Sequence, residues 1–236
     1  MNEIIKTDLK YFDETIGGLK KGELATVSGF AGSGKTMILN NIFLRAIKNG
    51  HRCLYFSLEM YKETVLRQLA LQGVTDISSS RIIDDAEYLD SLLEICEKEQ
   101  KLDLVIIDHT EIIRIEKERL EKFSVDIGLG ADCGTDITRM LKWLAKKLNV
   151  AVLVTANVSR RCLYQDRMPT LSDLDKILCE HDFDKIVFLY KKSAFEKPNK
   201  SEKSIIELSV GKNRDGKFAN GKLLLDNNSL SITDYE

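Results

Sequence analysis

Apolar residues recur along this chain in two rhythms. Short, nearly unbroken apolar runs lie at Leu24–Ser28, Arg52–Leu58, Leu102–Asp108, Ala151–Ala156 and Ile186–Tyr190. Runs of this length, rich in β-branched residues, predict strands buried on both faces. Between them the spacing changes to that of helices with one apolar face. Met37–Lys48 carries Ile38, Leu39, Ile42, Phe43, Ala46 and Ile47, and Asn49-Gly50 stops it. Lys62–Leu71 carries Val65, Leu66, Leu69 and Ala70, and Asp84–Glu99 carries Ala86, Leu89, Leu92, Leu93 and Cys96. Ile137–Leu148 carries Ile137, Leu141, Leu144, Ala145 and Leu148, with Trp143 either core or interface, core being commoner. Strands alternating with helices predict an α/β fold with a mostly parallel central sheet flanked by helices. Beyond residue 200 the helical spacing ends. Ser204–Val210 and Leu223–Leu225 flank Asn213-Arg214-Asp215-Gly216, which reads as a hairpin and adds an antiparallel C-terminal extension. Residues 1–22 read as a polar lead-in turning at its glycines. Residues 114–135 begin charged and become glycine-rich, and read as a mobile surface loop.

At 236 residues the chain suits one large α/β domain or two small ones. A net charge of −2 excludes a generally basic nucleic-acid binder, so any such contact needs a local patch. The cysteines at 53, 96, 133, 162 and 179 show neither CxxC nor zinc spacing. They read as reduced thiols, which points to the cytoplasm. No apolar run approaches the ~18 residues of a membrane helix, and Met1-Asn2-Glu3-Ile4-Ile5-Lys6 lacks the apolar core of a signal peptide.

The chemistry concentrates at Gly29-Phe30-Ala31-Gly32-Ser33-Gly34-Lys35-Thr36, which fits the phosphate-binding pattern G-x-x-x-x-G-K-[ST]. Gly29 and Gly34 let the backbone fold back and aim N–H groups inward at an anion. Lys35 reaches the outer phosphates, Thr36 offers a hydroxyl to Mg²⁺, and the helix opening at Met37 adds its positive end. The bland alternative is a glycine-rich turn with a stray lysine. The strand before and the helix after favour the nucleotide site. Asp108, ending the most apolar strand, is a Mg²⁺ residue or a turn or cap aspartate, and the phosphate loop upstream favours the metal. Glu59 and Asn157 also fall at strand ends, the side on which open parallel sheets bind ligands.

These residues also carry a family resemblance. Ile16-Gly17-Gly18-Leu19, the phosphate loop, Phe56-Ser57-Leu58-Glu59-Met60, Val105-Ile106-Ile107-Asp108, Leu141-Lys142-Trp143-Leu144-Ala145-Lys146, Leu171-Ser172-Asp173-Leu174, Phe188-Leu189-Tyr190 and Lys212-Asn213-Arg214 together resemble the C-terminal ATPase domain of DnaB-type hexameric replicative helicases, a branch of the RecA-like phosphate-loop NTPases. The resemblance runs over nearly the whole chain and implies one RecA-like domain over residues 1–236, without the N-terminal collar domain. It implies ATP and Mg²⁺ as ligands, with Gly29, Ala31, Gly32, Ser33, Gly34, Lys35, Thr36 and Met37 at the nucleotide and Thr36 and Asp108 at the metal. It implies Glu59 as general base, Asn157 as γ-phosphate sensor, and Lys212 and Arg214 reaching a neighbouring subunit's nucleotide. Single-stranded DNA and a hexameric ring of identical chains are the implied partners, although an isolated chain of this length could be monomeric.

The departures are as informative. Asn157 replaces the family's glutamine, one methylene longer. His109 stands where the family has tyrosine, and no catalytic role is assigned to it. The family's DNA-binding R-E-S-G loop is replaced by Asp175-Lys176-Ile177-Leu178, putting an acid where phosphates would lie. Lys176, Arg160, Arg161 and Arg167 are the candidates to substitute. The implied function is ATP-driven translocation on single-stranded DNA with duplex unwinding. The alternatives are a RecA-like ATPase that does not unwind, such as a loader, recombinase relative or regulatory switch, and a nucleotide-binding paralogue without turnover.

Overall fold

The protein is described by a computed structural model covering residues 3–73, 81–123, 133–159, 161–175, 178–191 and 202–235. The lead-in is more ordered than its composition predicts. Strand β1 (Ile4–Ile5) pairs with β2 (Leu19–Lys20) around helix α1 (Lys10–Thr15). Ile5, Leu9, Phe12, Ile16 and Leu19 are all buried. The Asp234 carboxylate accepts from the Lys10 and Tyr11 backbone N–H groups, so the far C-terminus supplies the acceptor for the first turn of α1.

From there the alternation follows the predicted rhythm. Strand β3 (Leu24–Gly29) leads into α2 (Lys35–Lys48), and β4 (Cys53–Ser57) into α3 (Lys62–Leu71). Next come β5 (Arg81–Ile83), α4 (Leu89–Lys98), β6 (Leu104–Asp108), the short α5 (Lys117–Leu120), α6 (Cys133–Leu148) and β7 (Ala151–Ala156). Helix α7 (Arg161–Tyr164), β8 (Lys185–Tyr190), β9 (Lys203–Asn213), β10 (Asn220–Asp226) and β11 (Ile232–Asp234) complete the chain. The main sheet has the order β11-β10-β9-β8-β3-β7-β6-β4-β5. From β8 through β5 neighbouring strands are parallel, and from β8 to β11 they are antiparallel.

Two sequence expectations are corrected. The helix read from Asp84 begins only at Leu89, because Tyr88 bridges to Arg114 and the neighbouring backbone groups bond to residue 114 rather than along a helix. Ala86 and Leu89 are both buried, which mimics a helical face without one. The segment 114–135, read as loop, contains α5 and a 3-10 turn at Glu121–Phe123, and its last residues already open α6. Residues 124–132 of that reading lie outside the described residues.

The strands are buried on both faces, so alternate side chains feed two cores. Tyr55, Leu104 and Ile106 face α1, α2 and α3, with Phe43 meeting the Tyr55 ring edge-on at 5.3 Å between centroids. Leu54, Phe56, Val105 and Ile107 face α4 and α6. This sandwich fixes the C-terminal ends of β3, β7, β6 and β4 side by side, and the candidate site stands on that row.

Candidate nucleotide site

The loop between β3 and α2 is shaped by its glycines. Gly32 and Gly34 take φ of 80° and 99°, which side chains avoid. A Cβ on Gly34 would also lie 2.8 Å from Ile206 Cδ1 of β9, so this turn is pressed against the antiparallel extension. Gly29 is confined by space instead, since a Cβ there would lie 2.4 Å from Ser33 Oγ. Ser33 is buried, and its hydroxyl has no hydrogen-bond partner among the described residues.

Lys35, the first residue of α2, turns back under this loop and is almost fully buried. Its ammonium donates to the carbonyls of Gly29 at 2.9 Å and Phe30 at 3.0 Å and to Asn157 Oδ1 at 3.0 Å. All three acceptors are neutral. Burial pulls its pKa below the ordinary lysine value, against the opposing fields of Glu111, Asp108 and Glu59. Thr36 donates to Asp108 Oδ2 at 2.7 Å, and Thr155 of β7 donates to Asp108 Oδ1 at 2.6 Å. Asp108 is thereby held buried at the end of β6, facing the hydroxyl expected to share a metal with it.

Glu59 lies two residues past Ser57, which pairs in register with Asp108. It lines the same cleft, of about 570 Å³, with Ala31, Gly32, Gly34, Lys35, Thr36 and Asn157. Met37, Leu225 and Lys191 close the cleft on another side. Burial lowers the Lys191 pKa as well. The sequence reading of the nucleotide residues, the acids and Asn157 thus converges on one place in space.

Two cleft residues had been given no function from the sequence. His109 follows Asp108, and its Nδ1 bonds to the Glu111 carboxylate, while its Nε2 lies 3.7 Å from Glu59 Oε2. The other Glu111 oxygen accepts from the Asn157 backbone N–H at 2.5 Å. Burial disfavours the charged ring, but Glu111 outweighs it and the His109 pKa is raised; Glu111 is correspondingly lowered despite its own burial. The available signal was the position of Glu111 just past a strand end that already carried Asp108.

Lys212 and Arg214 stand at the other end of the sheet. Lys212 pairs with Ile186, near the start of β8. Its ammonium donates to the Glu180 and His181 carbonyls at 2.8 and 3.3 Å, and Arg214 Nη2 donates to the His181 carbonyl at 2.9 Å. Both side chains reach the same turn, away from this chain's own cleft. Arg167 makes a two-pronged bond to Asp173, with Nη1 to Oδ2 at 2.6 Å and Nη2 to Oδ1 at 2.9 Å. That pairing holds the Asp173 pKa down at about 2. Arg161 is exposed on α7; Arg160 and Lys176 lie outside the described residues.

The donor set suits the implied ligands. Backbone N–H groups, a cation bound only to neutral acceptors and an orphaned hydroxyl fit an anion. A threonine hydroxyl beside a buried carboxylate fits a hard divalent cation. Comparison with known proteins gives the family. The family described as "DnaB-like helicase C terminal domain" matches residues 5–94 and 85–234. The chain is 29% identical to the replicative DNA helicase DnaB of Leifsonia xyli over 245 residues, covering 90% of this chain and 52% of that protein. It is 28% identical to the DnaB of Mycoplasma pneumoniae over 262 residues, covering 94% and 54%. The chain therefore spans about half the length of the curated relatives it matches. Among solved structures it is similar to a DnaB-like replicative helicase, with a TM-score of 0.78 at 21% identity over 98% of this chain and 63% of that one. It is also similar to the KaiC-like protein PH0186 of Pyrococcus horikoshii, with a TM-score of 0.71 at 17% identity over the whole of both chains. The fold is RecA-like, a parallel core with antiparallel C-terminal strands, and the chain belongs to the DnaB-like helicase C-terminal domain family.

Proposed function

We propose that this chain is an ATP-hydrolysing motor domain that assembles into a ring and uses hydrolysis to move on single-stranded DNA and separate duplexes in the cytoplasm. The observation that carries the reading is the convergence of Lys35, Thr36, Glu59 and Asn157 on one cleft, with Asp108 bound to Thr36 at its floor. The loop amides and Lys35 take the outer phosphates. Thr36 and Asp108 hold Mg²⁺, which supplies neutralising charge at the phosphates. Glu59 accepts the proton of the water that attacks the γ-phosphorus, as the bond to the ADP oxygen breaks. Asn157, bonded to the Lys35 ammonium, is placed to register whether that ammonium has turned to a γ-phosphate. Arg214 and Lys212 stabilise charge developing in a neighbour's site.

Hydrolysis measured against protein concentration, with and without single-stranded DNA, tests this reading. Turnover per chain that rises with concentration and with DNA supports the ring motor. Turnover independent of both would reject it.

One observation favours a second reading, an ATPase that does not unwind. The loop where the family binds DNA carries the negative charge of Asp175 here, and Arg167, a candidate to replace the missing arginine, is paired with Asp173. Fluorescence anisotropy with labelled single strands separates the two. Salt-sensitive binding that stimulates hydrolysis supports the motor, and no binding at low salt supports the switch.

A further inference from the structure

His109 and Glu111 sit inside the cleft without a part in the scheme above, yet they join its pieces. Glu59 projects from beyond β4, and its side chain is 58% exposed. A glutamate so exposed samples several rotamers, whereas a general base must point one way. The His109 side chain, by contrast, is 11% exposed and that of Glu111 14%. The ring is gripped on Nδ1 by Glu111, and its Nε2 is directed at Glu59 Oε2, 3.7 Å away. Glu111 is itself fixed by the Asn157 N–H, and Asn157 by Lys35. An unbroken line of contacts therefore runs Glu59–His109–Glu111–Asn157–Lys35, across the ends of three neighbouring strands and into α2.

We propose that His109 and Glu111 are positioning residues for hydrolysis: Glu111 sets the imidazole, and Nε2 of His109 holds the Glu59 carboxylate over the phosphate loop. The pair neither touches the reacting phosphate nor carries a proton in this scheme. It restricts where the base can be, and it ties that position to the strand bearing Asn157. This rests on Glu59 being the base.

The geometry yields an asymmetric test, because the two ring nitrogens have different amide mimics. The glutamine amide nitrogen falls near the place of Nε2, and the asparagine amide nitrogen near that of Nδ1. Steady-state ATP hydrolysis and binding of a fluorescent ATP analogue are measured on the full chain for the parent, His109→Ala, His109→Gln, His109→Asn and Glu59→Gln. The expected result is a fall in kcat of roughly tenfold to a hundredfold for His109→Ala, with KM and analogue affinity little changed. His109→Gln recovers most of the loss and His109→Asn does not. Adding His109→Ala to Glu59→Gln costs nothing further, because the group being positioned is already gone. The proposal is overturned if His109→Ala keeps the parental kcat or exceeds it, or if His109→Asn recovers activity as well as His109→Gln does. Those failures differ from failure of the underlying reading, in which Glu59→Gln itself hydrolyses ATP at the parental rate.

Discussion

Where the parallel strands begin, lysines meet acids: Lys185 reaches Glu23 at 2.6 Å, Lys142 reaches Asp184 at 2.5 Å and Lys21 reaches Asp103 at 2.6 Å. Where the same strands finish, Lys35 is equally enclosed but bonds two carbonyls and an amide. The first arrangement cancels charge and holds the fold together. The second keeps a positive charge uncancelled by any directly bonded carboxylate, ready for an anion. Burial alone thus does not separate a structural lysine from a functional one; the charge of its partners does.

Substitutions at the two ends sharpen the contrast. Lys35→Ala is expected to bring ATP hydrolysis to background while leaving the unfolding midpoint close to the parent's, read by phosphate release and thermal melting. Hydrolysis at the parental rate would remove the site. Arg214→Ala should spare binding of a fluorescent ATP analogue and lower turnover on the order of a thousandfold under assembling conditions. Mixing Arg214→Ala chains with Lys35→Ala chains should restore part of the rate if the site is completed between chains. Lys185→Met, which strands the Glu23 carboxylate beside a fully buried position, should cost about 3 kcal/mol in urea unfolding. Nucleotide affinity should remain near the parental value under folding conditions.

The smallest expected effect is an acid limb. Asp173 titrates near 2, well below an ordinary aspartate. Its pairing with Arg167 therefore contributes stability in full above the unfolded-state pKa, and this is lost as pH falls from about 4 towards 2. Arg167→Ala should flatten stability against pH in that window and leave it unchanged near neutrality apart from a constant offset.

The sequence disclosed the parts whose signal is local. Strands β3, β4, β6 and β7 stand out because burial on both faces demands unbroken apolar runs, and the phosphate loop because its backbone demands glycine at fixed places. Strands β1 and β2 have two residues each, too few for a period, and α1 is recognisable only once Asp234 closes on it. The false start of α4 came from spacing: two buried residues three apart suit a helix or an extended bridge alike. His109 and Glu111 escaped for a different reason. Their meaning depends on Asn157, 46 positions beyond Glu111, and no local rule links the two.

Strand β9 runs from Lys203 to Asn213, and its pairing with β8 slips by one residue at Gly211, since Ile186 lies opposite Lys212 and Val187 opposite Val210. Ile206, near its start, presses on the turn at Gly34, while Arg214 follows directly on its last residue. An extra residue on one strand leaves a backbone unit without a ladder partner and bends the strand there, so the two ends of β9 are joined through a local kink. One strand thereby touches the glycine turn at one end and carries Lys212 at the other, with the kink at Gly211 directly before that lysine.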